Sequence, residues 1–533
     1  MCLFGFKMIP MSMVRKFLIA VTVVLVARIV WWYGRKNFIQ KRQSSTTMYR
    51  VAVFEHVPQG DETIDNFREI IDKNLKIYEK AVDIAHEDGV ELLVFPEDSL
   101  INSEHYNRSM LIEYILESMP NPRIGEIVNF CDTISMDQRK KSVLATVSCW
   151  AMKYKMFIAL GFGDKVRCNR NFDSECPQDG HYLYNTIALF DWYGNLVAKY
   201  HKMQLFYEFQ YNIPKKKTHY HDPIVYYDSP FGRIGFMICF DLMFKQPGIK
   251  LVKEYGVQTI IYTTYWFNHL PFVSSVQMQQ AFALTHNINF LCASAHIPQT
   301  GTIGSGIYSG HYGAIIYVNS PDSNSKLAIA TIPIDPKEKE SSSVIHESKP
   351  KSIIVFRNKT RQELQNNHMD PNELQSILIL NFRHSQTGSA KWCFPGSYLC
   401  CRLYYELKHI SNDEKFIYAL LAGTAISGAI GQSRYPIYQE YCGMVKCETK
   451  NCSKFSTNTG IEFNYIFMSA TFISHYVYPS VIGNNERLLS IQKEWIYQHL
   501  EPNENIIRVR PKEPVVAVTL YGRNYDNDPV YVH

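Results

Sequence analysis

The sequence predicts an α/β domain over residues 49–333, followed by a smaller, disulfide-stapled β-rich domain over residues 374–533. In the first domain, strand-like and helix-like runs alternate, and many strand-like runs are apolar on both faces. This pattern favours sheets that are covered by helices. In the second domain, short β-type runs and cysteine pairs replace the alternation. Residues 334–373 are polar and charged, as in a linker or an exposed loop.

Hydrophobic periodicity predicts the elements of the first domain in order. The run VAVFEHV predicts a strand, and residues 63–86 then carry apolar side chains at helical spacing, with Asp61 as the expected cap and Gly89 as the expected stop. A strand at ELLVFPED follows and ends at a proline. The remaining elements are a helix over 142–153, strands at MFIALGFGD, LYNTIALFD, NLVAKYHK and RIGFMICFD, a helix over 247–255, a strand at QTIIYTT, a helix at VSSVQMQQAFALTHN and a strand at INFLCASA.

Residues 1–45 have the features of an export signal with its flank. Arg15 and Lys16 precede a mainly apolar run over residues 17–27. A run of this length suits the apolar part of a signal peptide better than a membrane span, which needs about 20 residues. If the apolar residues 29–33 beyond Arg28 are included, the run is nearly long enough to span a membrane. An uncleaved signal anchor is therefore the alternative.

Cysteine usage also indicates an oxidising compartment. The chain has 13 Cys, and Cys168 and Cys176 lie in a polar loop. Six more crowd the C-terminal part: Cys393, Cys400, Cys401, Cys442, Cys447 and Cys452. These residues predict a disulfide framework in a secreted protein. Zinc is the alternative, but no CxxC pair and no nearby His cluster supports it.

Three N-glycosylation sequons become candidate surface glycans if the chain is exported. They lie at Asn107, Asn358 and Asn451. The net charge of +5 is small and spread out, with no basic stripe, which speaks against nucleic acid as a partner. The chain contains no P-loop and no GxGxxG motif, and we expect no cofactor and no metal.

Three strand ends carry polar residues where an α/β sheet usually places its site. Glu97 follows a buried strand at Pro96, Lys202 follows the strand NLVAKYH, and Cys239 ends the strand GRIGFMI. Singly, each residue has an ordinary interpretation: a solvated carboxylate, a solvated ammonium and an inert buried thiol. Together they predict nucleophilic catalysis on an acyl compound.

In this mechanism Glu97 takes the thiol proton, and the sulfur of Cys239 attacks the carbonyl carbon. The ammonium of Lys202, with the backbone N–H that follows the nucleophile, stabilises the tetrahedral oxyanion. The protonated carboxyl group then returns the proton to the leaving amine and later activates water. A papain-like Cys–His pair lacks its local signature here, and GTIGSGIYSG has the wrong glycine spacing for a serine nucleophile elbow.

These segments resemble the catalytic segments of the nitrilase superfamily, most closely its vanin and biotinidase branch. The catalytic matches are FPED, YHKMQLFYEFQYNIP and FGRIGFMICFDLMF. The similarity continues through CNRNFDSECPQDGHYLYNT, YWFNHLPFVSSVQ, NINFLCASAHIP and GSGIY, and resumes at YLCCRLYYEL and YCGMVKC. It therefore spans most of the chain after the N-terminal segment.

The resemblance implies an αββα sandwich catalytic domain with a β-rich domain appended. It assigns Glu97 as proton acceptor, Lys202 as proton donor and oxyanion stabiliser, and Cys239 as nucleophile. It adds Glu208 as a supporting carboxylate, whose sign suits holding the ammonium six residues before it. From the residues alone, a surface Glu among aromatics is an equal interpretation of that position.

The resemblance also implies a disulfide pattern. The expected bridges are Cys131–Cys149, Cys168–Cys176 and three among the six C-terminal cysteines. Cys239 and Cys292 would then be free, and Cys2 would leave with the signal. The polar end GRNYDNDPVYVH gives no support for a lipid anchor.

The function expected from the resemblance is hydrolysis of pantetheine to pantothenate and cysteamine by a secreted amidase. Biotin amides are the alternative substrate, and a non-catalytic secreted binding glycoprotein is the alternative class. The expected partner is a small-molecule amide, with membrane contact only through an N-terminal anchor, which would place the protein at the cell surface.

Overall fold

The structure, a computed structural model, describes most of the chain from residue 47 to residue 529. Its gaps are residues 126, 134, 136, 138–140, 216–222, 338–349, 358–366, 369–375, 411–416, 430–431 and 501. The predicted export segment over residues 1–45 lies outside the described residues. No helix within the described residues has the length and apolar character that crossing a bilayer demands.

The first part of the chain, here called the α/β region, runs from β1 to β14. Its strands are β1 (Met48–Glu55), β2 (Leu92–Val94), β3 (Phe157–Arg167), β4 (His181–Phe190), β5 (Leu196–His201), β6 (Tyr226–Ser229), β7 (Gly232–Ile238), β8 (Thr259–Thr264), β9 (His269–Leu270), β10 (Asn289–Ser294), β11 (Ser305–Ser309), β12 (Gly313–Val318), β13 (Ser325–Pro333) and β14 (Ser352–Phe356). Its helices are α1 (Phe67–Glu87), α2 (Arg108–Met110), α3 (Phe130–Thr133), α4 (Val143–Tyr154), α5 (Gly248–Lys253) and α6 (Ser275–His286).

Two sheets form the centre of the α/β region. One has seven strands in the order β14-β13-β1-β2-β3-β4-β5, and the other has six in the order β12-β11-β10-β8-β7-β6. Alternation along β1 shows how they pack: Val51 and Val53 lie in the core shared with β7, whereas Ala52 and Phe54 lie in the core shared with α1 and α4. The region is thus an αββα sandwich, which confirms the predicted fold class.

Helix α1 begins four residues later than the sequence pattern predicts. Its cap is Asn66, not Asp61, because the Asn66 side chain accepts hydrogen bonds from the N–H groups of Arg68 and Glu69. The Glu69 carboxylate in turn accepts from the N–H of Asn66, which completes a capping box. The helix ends at Glu87, and the predicted stop, Gly89, follows the cap residue Asp88 with φ +78°, a conformation that costs glycine little.

The second part, here called the β region, is built mainly of strands. They are β15 (Asn367–His368), β16 (Ile377–Leu380), β17 (Thr387–Cys393), β18 (Cys400–Leu407), β19 (Ile417–Ala429), β20 (Gln432–Cys447), β21 (Phe463–Thr471), β22 (Tyr476–Gly483), β23 (Trp495–Leu500), β24 (Glu504–Val509) and β25 (Val515–Arg523). Two five-stranded sheets, β16-β19-β20-β25-β22 and β17-β18-β21-β24-β23, pack face to face around their own core. This confirms the predicted β-rich second part.

The β region packs directly on the α/β region. Along β19, Leu420 and Ala422 point into the core between the two β-region sheets. Their neighbours Ala419 and Leu421 belong to the same core cluster as the facing sheets of the α/β region. One sheet of the β region therefore buries both its faces, and the two regions share a continuous apolar core.

The structure contains five disulfides. They join Cys131–Cys149, Cys168–Cys176, Cys393–Cys400, Cys401–Cys442 and Cys447–Cys452. Among the described cysteines, Cys239 and Cys292 are free, and both are buried. Disulfide bonds persist in oxidising compartments, so this number fits an extracellular location.

Part of the segment that the sequence predicts as a linker is a strand. Residues Ser352–Phe356 form β14, which pairs antiparallel with β13 and extends the seven-stranded sheet at its edge. The strand reads SIIVF, a short β-branched run that the surrounding charged residues obscure in the sequence. Farther along, Asn367 and His368 form β15, which pairs with β9 of the α/β region.

Candidate active site

One pocket receives Glu97, Lys202 and Cys239. Glu97 leaves the seven-stranded sheet after β2, Lys202 leaves the same sheet after β5, and Cys239 begins the turn Cys239–Met243 after β7 of the facing sheet. All three line a cavity of about 360 Å³ that is open to solvent, and each side chain is buried. The predicted residues, far apart in sequence, are thus brought together where the two sheets face each other.

Lys202 lies between two carboxylates. Its Nζ donates a hydrogen bond to Glu97 Oε1 at 2.8 Å and lies 2.5 Å from Glu208 Oε2. Glu208 lines the same cavity and is 7 % exposed, so it is a buried partner of the ammonium and not a surface residue. The local group of two carboxylates and one ammonium carries a net charge of –1 when all three are ionised.

A fourth side chain, Asn185 of β4, connects the two carboxylates. Its amide Nδ2 donates to Glu97 Oε1 at 2.7 Å and to Glu208 Oε1 at 2.6 Å. Its backbone carbonyl accepts from the N–H of Lys202 at 2.9 Å. Glu97 Oε2 is buried without a hydrogen-bond partner among the described residues, which leaves this oxygen available to accept a proton.

Burial and charge set the protonation of the cluster. Burial raises the pKa of Glu97, and the Lys202 ammonium works against that rise. Burial opposes ionisation of Lys202 too, but the charges of Glu208 and Glu97 hold its pKa well above the usual value. Burial, together with the charge of Glu97, raises the pKa of Cys239. The resting thiol is therefore protonated beside a charged ammonium.

The backbone around Cys239 is strained and tightly held. Cys239 has φ +41°, in the left-handed region that non-glycine residues rarely adopt and that costs about 1–3 kcal/mol. The hydroxyl of Tyr262 donates to the Cys239 carbonyl at 2.9 Å. Burial raises the pKa of the thiol, and hydrogen bonding from Thr264 and from the backbone of Tyr265 opposes that rise. Strand β8 and the residue after it thus hold the turn that carries Cys239.

Asp241 ties the turn that carries Cys239 to the segment that carries Lys202. Its Oδ2 accepts from the Tyr200 hydroxyl at 2.7 Å and from the N–H of Ile238 at 2.9 Å. Its Oδ1 accepts from the N–H of Gln204 at 2.9 Å. Burial raises the pKa of Asp241 to about 7 despite these three donors. The carboxyl group thereby joins β5, β7 and the Cys239 turn.

Aromatic and acidic side chains line the rest of the cavity. The aromatic lining is Phe206, Tyr265 and Phe267, and the polar lining includes Asp98, Asn102 and Glu104. In the loop after β8, Tyr265 and Phe267 line the cavity, whereas Trp266 between them is buried and donates its indole N–H to the Val273 carbonyl.

Two site residues were missed by sequence reasoning, Asn185 and Asp241. Asn185 lies inside the mainly apolar strand LYNTIALF. A polar amide in such a strand is the signal that could have identified it. Asp241 appears in the sequence analysis only as the last residue of the predicted strand RIGFMICFD. A carboxylate two residues after a buried cysteine is a weak signal, because most such carboxylates are solvated.

The remaining predicted modification sites are exposed where they are described. Asn107 and Asn451 have exposed side chains, and Asn107 also caps the short helix α2. Asn358 lies outside the described residues. Among the described residues, no group of three His, Cys, Asp or Glu side chains converges as a metal site would require.

Comparison with known proteins agrees with this architecture. The family model of carbon-nitrogen hydrolases matches residues 59–335, and that of the Vanin C-terminal domain matches residues 364–528. Human pantetheinase is 30 % identical over 503 residues, covering 92 % of each chain. Human biotinidase is 28 % identical over 519 residues, covering 90 % of each chain. An amidase of known structure from Nesterenkonia sp. is 17 % identical, covers 56 % of this chain and 94 % of its own, and has a TM-score of 0.35.

The αββα fold and the family match define a carbon–nitrogen hydrolase that acts on amides. With the appended β region matched as well, the chain belongs to the vanin and biotinidase branch of the carbon–nitrogen hydrolase family.

Proposed function

We propose that this protein is a secreted amidase that hydrolyses pantetheine to pantothenate and cysteamine through a thioester on Cys239. The observation that carries the proposal is Lys202, held at 2.8 Å and 2.5 Å between the two carboxylates in the cavity that also contains the thiol. We assign residues 49–333 to the catalytic domain and residues 374–533 to the appended domain. The matched family models over residues 59–335 and 364–528 support that division.

The first half of the proposed reaction forms the thioester and releases the amine. Since the resting thiol is protonated, Glu97 accepts its proton as the sulfur attacks the amide carbon. The carbonyl oxygen becomes an oxyanion, which the Lys202 ammonium and the N–H of Phe240 stabilise. The protonated Glu97 then donates to the amide nitrogen, the C–N bond breaks, and cysteamine leaves.

The second half consumes water. Glu97 is ionised again after the amine leaves, so it can take a proton from a water molecule that attacks the thioester carbon. A second oxyanion forms at the same place beside Lys202. When it collapses, the C–S bond breaks, the proton returns to sulfur, and pantothenate leaves. The sum of both halves is one amide and one water converted to one acid and one amine.

The lining of the cavity favours a slim, polar substrate. The aromatic residues Phe206, Tyr265 and Phe267 lie there together with the polar residues Asp98, Asn102 and Glu104. Pantetheine is a narrow, neutral chain of amides and hydroxyls that suits such a lining. Biotin amides require a wider space for fused rings. They are the second candidate because human biotinidase is similar over 90 % of both chains.

A comparison of kcat/KM for pantetheine and biocytin on one preparation tests the substrate. We expect pantetheine to be preferred. A biocytin value about ten times larger, equivalent to about 1.4 kcal/mol of transition-state preference, would reverse the assignment. If neither amide is hydrolysed, iodoacetamide labelling decides whether the protein is an enzyme. A catalytic Cys239 should be alkylated far faster than Cys292, which is fully buried in β10.

Secretion and glycosylation are part of the same proposal. Five disulfides and the exposed sequons at Asn107 and Asn451 support it. Intact mass before and after reduction and deglycosylation would show five bridges and attached glycans. N-terminal sequencing distinguishes a cleaved signal from a signal anchor. A protein with free thiols and no glycan would exclude the secretory route.

A further inference from the structure

One wall of the cavity is the segment that begins at the last residue of β8, here called the wall segment (residues 264–270). Hydrogen bonding from Thr264 and from the backbone of Tyr265 opposes the rise that burial causes in the pKa of Cys239, and Tyr265 and Phe267 line the cavity. The wall segment therefore meets the thiol at one end and offers two of its residues to the substrate space. Its position decides how a substrate lies relative to the sulfur.

The next residue of the wall segment, Asn268, is held by the β region. Its Nδ2 donates to Oε2 of Glu486 at 2.8 Å. Its Oδ1 accepts from the N–H of Ser275 at 2.7 Å, and its own N–H donates to the Gly301 carbonyl at 2.9 Å. The contact to Glu486 is the one of these that crosses from the α/β region to the β region.

The backbone at Glu486 is strained. This residue lies in the turn Asn484–Glu486 after β22, is 4 % exposed, and has φ +57° directly after Asn485 at φ +56°. Two consecutive non-glycine residues in the left-handed region are rare and persist only where the surroundings impose them. The N–H of Arg487 donates to the Asn484 carbonyl and holds the backbone of the turn. The amides of Asn268 and Asn319 donate to the same oxygen of the Glu486 side chain.

Amide dipoles face the carboxylate of Glu486. Among the described residues, its carboxylate has these two amide partners and no cation within ion-pair distance. Burial accordingly raises the pKa of Glu486. A packed apolar side chain would be a less costly way to join two regions, so this buried carboxylate serves a specific contact and not general adhesion.

We propose that Glu486 is a positioning residue of the active site: through Asn268 it fixes the wall segment, so that the β region sets the substrate-facing side of the cavity. This inference rests on the proposed function for its kinetic readout, but its structural readout is independent of any substrate. It gives the β region a role in amide hydrolysis that its own strands, remote from Cys239 in sequence, do not suggest.

Glu486→Ala should raise KM for pantetheine about tenfold and leave kcat within about threefold, because the wall orients the substrate in the ground and transition states alike. Glu486→Gln keeps the shape and a carbonyl acceptor, so it should stay close to wild type. Thr285→Val is the matched control. It removes another hydrogen bond between the regions, from the Thr285 hydroxyl to the Val477 carbonyl at 2.9 Å, away from the wall segment.

A charge swap guards against simple loss of folding. Asn268→Asp places a carboxylate against Glu486 and should raise KM through repulsion. Adding Glu486→Gln to that variant restores an amide–carboxylate pair with donor and acceptor exchanged, and should recover most of the loss. Failure of the double variant to recover would count against a specific contact and would overturn the proposal.

Hydrogen exchange of the backbone amides in residues 264–270 decides the inference without a substrate. We expect faster exchange there in Glu486→Ala and wild-type exchange in Thr285→Val. Unchanged exchange in Glu486→Ala, or an equal increase in the control, would refute the positioning role even if pantetheine is hydrolysed. Faster exchange confined to Glu486→Ala would support it even if the wild type turns over another amide.

Discussion

Replacing Asn185 by leucine should shift the pH at which the enzyme becomes active. The Asn185 amide donates at 2.7 Å and 2.6 Å to one oxygen of each carboxylate around Lys202. Hydrogen bonds to charged groups contribute about 1.5–3 kcal/mol each. Leucine has a similar size and no donor, so both carboxylates become harder to ionise. The pKa of Glu97, already raised by burial, should rise further.

The size of the shift follows from the lost bonds. One pKa unit corresponds to about 1.4 kcal/mol, so the loss of one such bond to Glu97 moves its pKa up by about one unit or more. The base must be ionised, and the acid limb of the kcat/KM profile should therefore move to higher pH by about that amount. Activity should fall about tenfold on the acid limb and recover in part as the pH rises.

The assay is a pH–rate profile of pantetheine hydrolysis for wild type, Asn185→Leu and a control. Asn289→Leu is the matched control, because Asn289 is equally buried in the α/β region and its amide donates to the Pro333 carbonyl, not to the site. The control should lose stability without moving the acid limb. A profile for Asn185→Leu that keeps the wild-type acid limb would refute the role of this amide.

Three further substitutions test the cluster. Cys239→Ala should abolish hydrolysis while circular dichroism stays native, and retained turnover would disprove the nucleophile. Lys202→Met should lower kcat at least about a hundredfold, since the oxyanion loses its cation, and should cost about 3–5 kcal/mol of stability in urea because Glu97 and Glu208 remain buried without a cation. Asp241→Asn tests the pKa of about 7. Because the folded pKa is raised, wild-type stability from this group is complete below the ordinary Asp pKa and is lost as the pH rises through about 7. The variant should thus be the less stable form at pH 5, with a gap that narrows by pH 8, and a constant gap would contradict the assignment.

The fold class was readable because periodicity and burial agree in most elements. Helix α4 and strands β3, β7, β8 and β10 lie within a few residues of their predicted limits. The start of α1 was wrong because Asp61 and Asn66 are both good caps, and only the capping box with Glu69 distinguishes them. Strand β14 was missed because its five residues lie within a charged stretch and depend on pairing with β13.

The cavity was predictable in part. Glu97, Lys202 and Cys239 were predicted from the strand ends and the family motifs, since charged or reactive residues directly after apolar strands are easy to recognise. The role of the Asn185 amide was not predicted, because the sequence of a strand does not show which side chains lie beside it in the sheet. The contact between Asn268 and Glu486 was beyond reach, since it joins residues 218 positions apart in two regions that the sequence presents as separate.

The charge distribution around Lys202 explains how a cysteine with a raised pKa can act as a nucleophile. In the resting cluster, burial and the charge of Glu97 make a thiolate unfavourable, and the ammonium of Lys202 lies between two carboxylates. In the proposed attack, the thiol proton neutralises Glu97 while a negative charge appears on the carbonyl oxygen. The ammonium thus exchanges one anionic neighbour for another without moving, and no free thiolate is needed. The site thus disfavours a negative charge on sulfur in the ground state and accommodates that charge on oxygen in the transition state. It therefore stabilises the transition state selectively, which is the requirement for catalysis.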